Sequence, residues 1–251
     1  MGFNNWNRQT LVLALFSVTL VSMRVAFATD CPPLREPSLQ KAPFSLSPVG
    51  TLDGYKQQLL EYYSSQNYFG DISLVLADAR SFVEAHASEV KKPAVILDID
   101  ETSLSNWPNI KANDFSFVGD GPCELLPRGP CGFSAWEHKH VAPAITPTRD
   151  FFNAVKADGV SVFFITGRRD LDRKITILNL NLAGYEGWKK LIFRTDNDTT
   201  SEISEFKKAE RGKIVADGYT IIANVGDQMS DLDGGFAECG FKLPNPFYFI
   251  R

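Results

Sequence analysis

From residue 94 onward, four short apolar runs alternate with stretches of helical periodicity, and no other feature limits the possible folds as much. The runs are AVILD (94–98), VSVFFIT (160–166), KLIFR (190–194) and YTIIANVGD (219–227). Between them lie TPTRDFFNAVKADG (146–159), DLDRKITILNLNLAG (170–184) and SEISEFKKAERGKIVADG (201–218). Strands separated by a helix's length of chain pair in parallel, because the crossover returns each strand to the same edge. The expected fold class is therefore α/β, a parallel sheet flanked by helices. Thr146 as N-cap before Pro147, and Gly159, Gly184 and Gly218 as stops, mark the helix boundaries. Two N-terminal helices, at 53–66 and 71–89, precede the first strand with apolar residues at three- and four-residue spacing.

The first strand ends in a knot of like charge. In KPAVILDIDETSLSNW (92–107), Asp98, Asp100 and Glu101 place three carboxylates within four residues of an apolar run. Carboxylates that close repel unless a cation, a shared proton or hydrogen bonds offset them. The carboxyl edge of an open α/β sheet is where ligands bind, so the knot asks for a partner there.

The 251 residues suffice for one sizeable domain with an insertion, and 44% hydrophobic with 22% charged residues is ordinary for a globular protein. Residues 1–28 read as a signal peptide cleaved after Ala28: Arg8 precedes the 13-residue apolar stretch LVLALFSVTLVSM, and AFA closes it. A membrane anchor would need about 20 apolar residues, and Arg24 interrupts this run. The mature chain is expected to be secreted or periplasmic, with no stable membrane anchor. Losing Arg8 and Arg24 takes the formal net charge from −4 to about −6, which gives no nucleic-acid surface. Residues 29–50, with five prolines, read as an extended arm. Residues 103–144 are too long for an ordinary βα loop and form an insert, or cap, at the carboxyl edge. Four cysteines in an oxidising compartment point to two disulfides. Cys123 with Cys131 is the favoured pair across a short turn-rich loop, leaving Cys31 for Cys239; zinc is a weaker reading without a CxxC.

Polar groups suited to one task follow the four strands: Asp98 and Asp100, then Thr166 in FFITGR, then Lys207, then Asp227 and Asp231 in NVGDQMSD. A carboxylate nucleophile, a second carboxyl, a hydroxyl, an ammonium and a distal Asp pair are the parts for attack on phosphorus with Mg²⁺. In this order, DxDxT, ThrGly, Lys and GDxxxD resemble the haloacid dehalogenase (HAD) superfamily. LSNWP, FFITGRRD, LNLNLAGYEGWKKLIFR and GDQMSDL resemble its acid phosphatase branch, which holds plant acid phosphatases, vegetative storage proteins and bacterial secreted class B and C enzymes. The resemblance runs from about Gly54 to the C-terminus, and implies a Rossmann-like HAD phosphatase domain over 51–251 with a cap at about 103–144.

It also implies roles. Asp98 would be the nucleophile and Asp100 the acid and base. Asp98, the Asp100 carbonyl and Asp227 would hold Mg²⁺, with Asp231 reaching the metal through water or pairing with the lysine. Thr166 and Gly167 would bind the phosphoryl group, and Lys207 rather than its neighbour Lys208 would neutralise its charge. Arg168 or Arg169 would reach the phosphate, the other being a surface ion pair. Trp107, Phe115, Phe117 and Trp136 would form an aromatic slot for the substrate or the insert's own core. Glu101 is expected to face solvent or cap a backbone donor. His138 and His140, two apart, suit a metal less well than a solvated or substrate-facing lid. The function implied is a secreted Mg²⁺-dependent acid phosphatase acting on small phosphomonoesters through an aspartyl phosphate. The alternative is a non-enzymatic storage or binding protein on the same scaffold.

Overall fold

In the computed structural model, residues 31–35, 37, 51–119, 121–123, 131–198 and 202–250 are described. The expected signal peptide, most of the arm and the middle of the Cys123–Cys131 loop lie outside them. Two helices lead, α1 (Leu52–Ser64) and α2 (Asn67–His86), the first capped by Thr51, whose hydroxyl accepts from the Gly54 N–H at 3.1 Å. Strand β1 (Pro93–Leu97) follows. The insert contributes two short helices, α3 (Trp107–Ala112) and α4 (Phe133–His138). Then come α5 (Thr146–Ala157), β2 (Ser161–Arg169), α6 (Arg173–Leu182), β3 (Lys190–Arg194), α7 (Ile203–Ala216) and β4 (Thr220–Gly226). The last elements are α8 (Met229–Leu232) and β5 (Ala237–Lys242). Among the described residues no helix is long and apolar enough to cross a membrane.

The five strands are all parallel, in the order β3-β2-β1-β4-β5. β1 sits at the centre and alternates: Val95 and Leu97 enter the larger core, and Ala94 and Ile96 enter a smaller one with Ile214 of α7. Helices α2 and α5 cover the first face, α7 the second. The chain runs outward from β1 through β2 to β3, then returns through α7 to place β4 on the other side of β1. That reversal leaves a crevice at the carboxyl ends of β1 and β4, the place such sheets bind ligands.

Two expectations are corrected here. Helix α5 starts at Thr146 with Ile145 in the cap position, so Thr146 lies in the first turn and is not the N-cap. The fifth strand, β5, was not expected, because its sequence AECGFK mixes Glu, Gly and Lys and lacks β-branched residues. Pairing with β4 overrides that weak propensity. The glycine stops agree with expectation, with φ of 80°, 87° and 84° at Gly159, Gly184 and Gly218. Both favoured disulfides are formed, Cys123–Cys131 within the insert and Cys31–Cys239, which ties the arm to β5.

Candidate active site

Strand β1 delivers Asp98 into the crevice, where its backbone N–H still donates to the Val225 carbonyl of β4 at 3.1 Å. The next strand end places Asp227 beside it. Helix α8 opens immediately afterwards, and its first turn carries Asp231, whose Oδ2 accepts the Gln228 N–H at 2.8 Å. Gly226 is what lets this carboxylate in, since a Cβ there would meet Asp231 atoms at 2.3 Å. Oxygens of Asp98, Asp227 and Asp231 lie within 4.8 Å of one another, all buried.

Lys207 arrives from α7 and donates to Asp98 Oδ1 at 2.6 Å and to Asp231 Oδ1. Burial pulls its ammonium down, but Asp231 and Asp98 outweigh that and hold it above lysine's ordinary range. Burial pushes the Asp98 carboxyl well up against the pull of Lys207, with Asp231 and Asp227 adding like charge. Asp227 is pushed up to about 7 by burial and by Asp231. Three carboxylates face one ammonium, an excess of two negative charges in a dry place. A hard divalent cation with oxygen ligands fits that deficit and that donor set. Lys208 instead points outward and pairs with Glu205 at 3.6 Å.

Asp100 stands two residues beyond Asp98 at the cleft. The Arg168 fork holds it, Nε to Oδ2 at 3.0 Å and Nη2 to Oδ1 at 2.7 Å, with Asn106 Nδ2 donating to Oδ1 at 2.9 Å. Burial pushes its carboxyl up, but Arg168 and these hydrogen bonds prevail and hold it below the usual range. Arg168 also faces Glu137 of α4 at 3.4 Å and donates to Thr176 at 3.3 Å. The sequence left open which of the two arginines is ion-paired, and the ion-paired one proves to be buried and not at the surface. Arg168 is the buried, ion-paired one, its guanidinium taken up by carboxylates. Arg169 lies at the cleft and donates to the carbonyls of Thr195 and Asp198.

Thr166 is fully buried behind Gly167, and its Oγ1 accepts the Arg168 N–H at 3.2 Å, leaving its own proton to donate. Gly167 lines the cleft. Glu101, expected at the surface or as a cap, is buried and does cap a donor: it accepts the Asn106 N–H at 2.5 Å, the Asn106 amide and the Tyr248 hydroxyl. Those bonds hold its backbone at a left-handed φ of 53°. Burial raises its carboxyl to about 7.

These groups open into a cleft of about 320 Å³. Its apolar wall is Phe117, Phe133, Tyr248, Ile203 and Ile250. Of the two roles open to Trp107 and Trp136, a substrate slot or a core, both side chains take the core. Trp107 stacks on Tyr63 of α1 at 4.0 Å, packing also on Phe115, and Trp136 is buried with Nε1 donating to Asn106 Oδ1 at 2.8 Å. Burying the Trp107 ring against α1, and the Trp136 ring with its N–H satisfied by Asn106, outweighs placing them at the cleft. Of the four aromatics named from sequence, Phe117 reaches the cleft. His138 and His140 do not converge: His138 contacts Asp172 at 2.8 Å and His140 a backbone carbonyl.

Sequence reasoning missed Glu137, Tyr248, Gln228 and Asn245. Glu137 sat in the EHKH stretch where the histidines drew attention. The other three reach Asp227, Glu101 or the cleft from segments without a periodic signal.

The family model "HAD superfamily, subfamily IIIB (Acid phosphatase)" matches residues 40–251. "Acid phosphatase 1" of Solanum lycopersicum is 31% identical over 209 residues, covering 82% of this chain and 79% of its own. "Stem 28 kDa glycoprotein" of Glycine max is 33% identical over 195 residues, 76% of this chain and 73% of its own. "Vegetative storage protein 2" of Arabidopsis thaliana is 26% identical, covering 82% and 74%. Among solved structures, the class C acid phosphatase from Bacillus anthracis superposes with a TM-score of 0.61 at 23% identity, over 77% of this chain and 86% of that one, a likeness of fold.

Proposed function

The chain belongs to the acid phosphatases of HAD superfamily subfamily IIIB, and on that premise we propose that it hydrolyses small phosphomonoesters through an aspartyl phosphate on Asp98, with Mg²⁺ as cofactor. The observation that carries this reading is the buried group of Asp98, Asp227 and Asp231 around Lys207 at the floor of a cleft. Asp98, Asp227 and Asp231 would hold the metal, with the Asp100 carbonyl as a further oxygen. When bound, Mg²⁺ supplies charge that lets a dianionic substrate approach these carboxylates.

This chain's own residues do the rest. An Asp98 oxygen attacks phosphorus, the bond to the leaving oxygen breaks, and Asp100 gives that oxygen a proton. Water then attacks phosphorus, Asp100 takes its proton back, and the Asp98–phosphorus bond breaks to release inorganic phosphate. Arg168 keeps Asp100 oriented and ionised, the form the second step needs. A phosphate dianion arriving beside Asp100 favours its protonation by like charge, the form the first step needs. Lys207 and the Thr166 hydroxyl stabilise charge on the phosphoryl oxygens, and the aromatic wall receives the ester group.

The relatives named as storage proteins support a second reading, a non-enzymatic protein on this scaffold. The full set Asp98, Asp100, Thr166, Lys207 and Asp227 speaks for the enzyme, because a retired site need not keep its nucleophile. Secretion, with the leader cut after Ala28, is part of the proposal. A phosphate-release screen with nucleotides, sugar phosphates and aryl phosphates, with and without Mg²⁺, tests both. Phosphate release by the wild type and none by Asp98→Asn is expected. No release from any substrate class, at any metal concentration, points to the storage reading.

A further inference from the structure

The segment after β5, residues 243–250, returns over the carboxyl edge of the sheet and ends among the site residues. Leu243 N–H donates to the Gly226 carbonyl at 2.8 Å, carrying the chain past the end of β4. Phe247 anchors it by packing against Tyr68 and Trp107, each at 5.3 Å between ring centres. The Tyr248 hydroxyl then donates to Glu101.

Asn245 lies between these anchors. Its Oδ1 accepts the N–H groups of Phe247 at 2.9 Å and Tyr248 at 3.4 Å. Two donors on one side fix which end of the amide is which, so the nitrogen faces Asp227, with Nδ2 to Oδ2 at 2.7 Å. Gln228 is oriented in the same way. Its Oε1 accepts the Ile250 N–H at 3.2 Å, and its Nε2 donates to Asp227 Oδ2 at 2.7 Å. On the other oxygen, Thr102 donates to Oδ1 at 3.2 Å.

An ionised carboxylate has about four acceptor directions, two on each oxygen. The two amides fill Oδ2 and Thr102 takes one direction on Oδ1, which leaves one direction on Oδ1 for anything else. We propose that Asn245 is a positioning residue for the metal site: with Gln228 it occupies Oδ2 of Asp227, so that this carboxylate offers a cation one oxygen and not two. A single oxygen suits a small octahedral ion such as Mg²⁺, whereas Ca²⁺ readily takes both oxygens of a carboxylate. Neutral amides achieve this without the repulsion that a lysine or arginine in the same place would add. The inference rests on the reading that a divalent cation binds at Asp98, Asp227 and Asp231.

The test is calorimetric binding of Mg²⁺ and Ca²⁺ to the chelator-stripped full chain, with no substrate present. Asn245→Ala should raise the Mg²⁺ Kd about 10- to 100-fold, the usual effect of losing a partner that orients a ligand. It should weaken Ca²⁺ less, because the freed oxygen can join in binding the larger ion. A merely loosened fold would weaken both ions alike. Asn245→Asp keeps the oxygen that accepts from Phe247 and Tyr248, and so serves if Asn245→Ala does not fold. Its added charge tightens both ions, yet the ratio should still move towards Ca²⁺ by about tenfold or more. A Mg²⁺-over-Ca²⁺ preference equal to the wild type's, in either folded variant, overturns the role of Asn245 while the metal reading stands. Wild type that binds neither ion overturns both.

Discussion

The Arg168 guanidinium grips the Asp100 carboxylate through two nitrogens, at 3.0 and 2.7 Å, with the arginine side chain almost wholly buried. A fork of this kind fixes the plane of the carboxylate as well as its charge. In the proposed mechanism Asp100 must point at the leaving oxygen, so the grip matters most where the leaving group needs a proton.

Arg168→Gln is therefore expected to cut alkyl phosphate turnover by about 10²- to 10⁴-fold, the range for general acid help, and aryl phosphate turnover less, since a phenolate departs without full protonation. Arg168→Lys should not restore the difference, because an ammonium cannot replace a bidentate fork. Steady-state kcat/KM on paired alkyl and aryl esters measures it. Equal losses on both classes would show that Arg168 does not act through Asp100.

The two adjacent lysines separate cleanly. Lys207→Met leaves Asp98 and Asp231 buried without their cation, a loss on the order of 3–5 kcal/mol for a broken buried pair, and should abolish turnover. Lys208→Met removes a half-exposed side chain near Glu205 and should change stability by less than about 0.5 kcal/mol. Urea melts in chelator, followed by activity with Mg²⁺, compare them. Wild-type turnover in Lys207→Met would remove that lysine from the mechanism.

How much of this could be read in advance depends on where each residue's partners lie in the chain. β1, β2, β3 and β4 were legible because each is a compact apolar run, and Asp98, Asp100, Lys207 and Asp227 because they follow those runs in order. β5 was not, since Ala237–Lys242 becomes a strand through pairing with β4 and not through its own composition. Trp107 stays open between substrate and core in the sequence because an aromatic just after the acids can turn either way. What turned it inward is Tyr63, forty-four residues earlier on α1. Arg168 and Arg169 could not be told apart because nothing local to GRRD reveals that Glu137, on the insert, and Asp100 converge on Arg168.

Glu137 carries a pH signature. Burial pushes its carboxyl from the ordinary 4.5 up to about 8, since the charge of Arg168 is shared with Asp100. A carboxyl with a raised folded pKa holds its proton in the folded state and loses it on unfolding. It therefore costs stability above its unfolded pKa: its contribution is complete below about 4.5 and is lost as pH rises towards 8. Glu101 and Asp227 act in the same sense. Urea unfolding in chelator should weaken across this window, and Glu137→Gln should weaken less steeply. An unchanged slope in the variant would mean that Glu137 stays ionised in the fold.

Asp98 and Asp100 lie two residues apart, yet the proposed chemistry uses them in different steps, and that can be resolved in time. Asp98→Asn removes the nucleophile and should abolish turnover of every ester. Asp100→Asn keeps it, so an aryl phosphate should still phosphorylate Asp98, whereas an alkyl phosphate should react far more slowly. Dephosphorylation in Asp100→Asn lacks its base, and loss of that help is typically worth about 10²- to 10⁴-fold. The variant should therefore accumulate phosphoenzyme. Arg168 makes the variant a clean test: in Asp100→Asn its guanidinium keeps the carboxamide oxygen, Glu137 and Thr176, so what is lost is the proton transfer and not the arginine's place. Rapid-quench labelling with a radioactive aryl phosphate, followed by peptide mapping, reads out both steps. Label on any residue other than Asp98, or near-normal alkyl turnover by Asp100→Asn, would overturn the assignment of the two carboxylates.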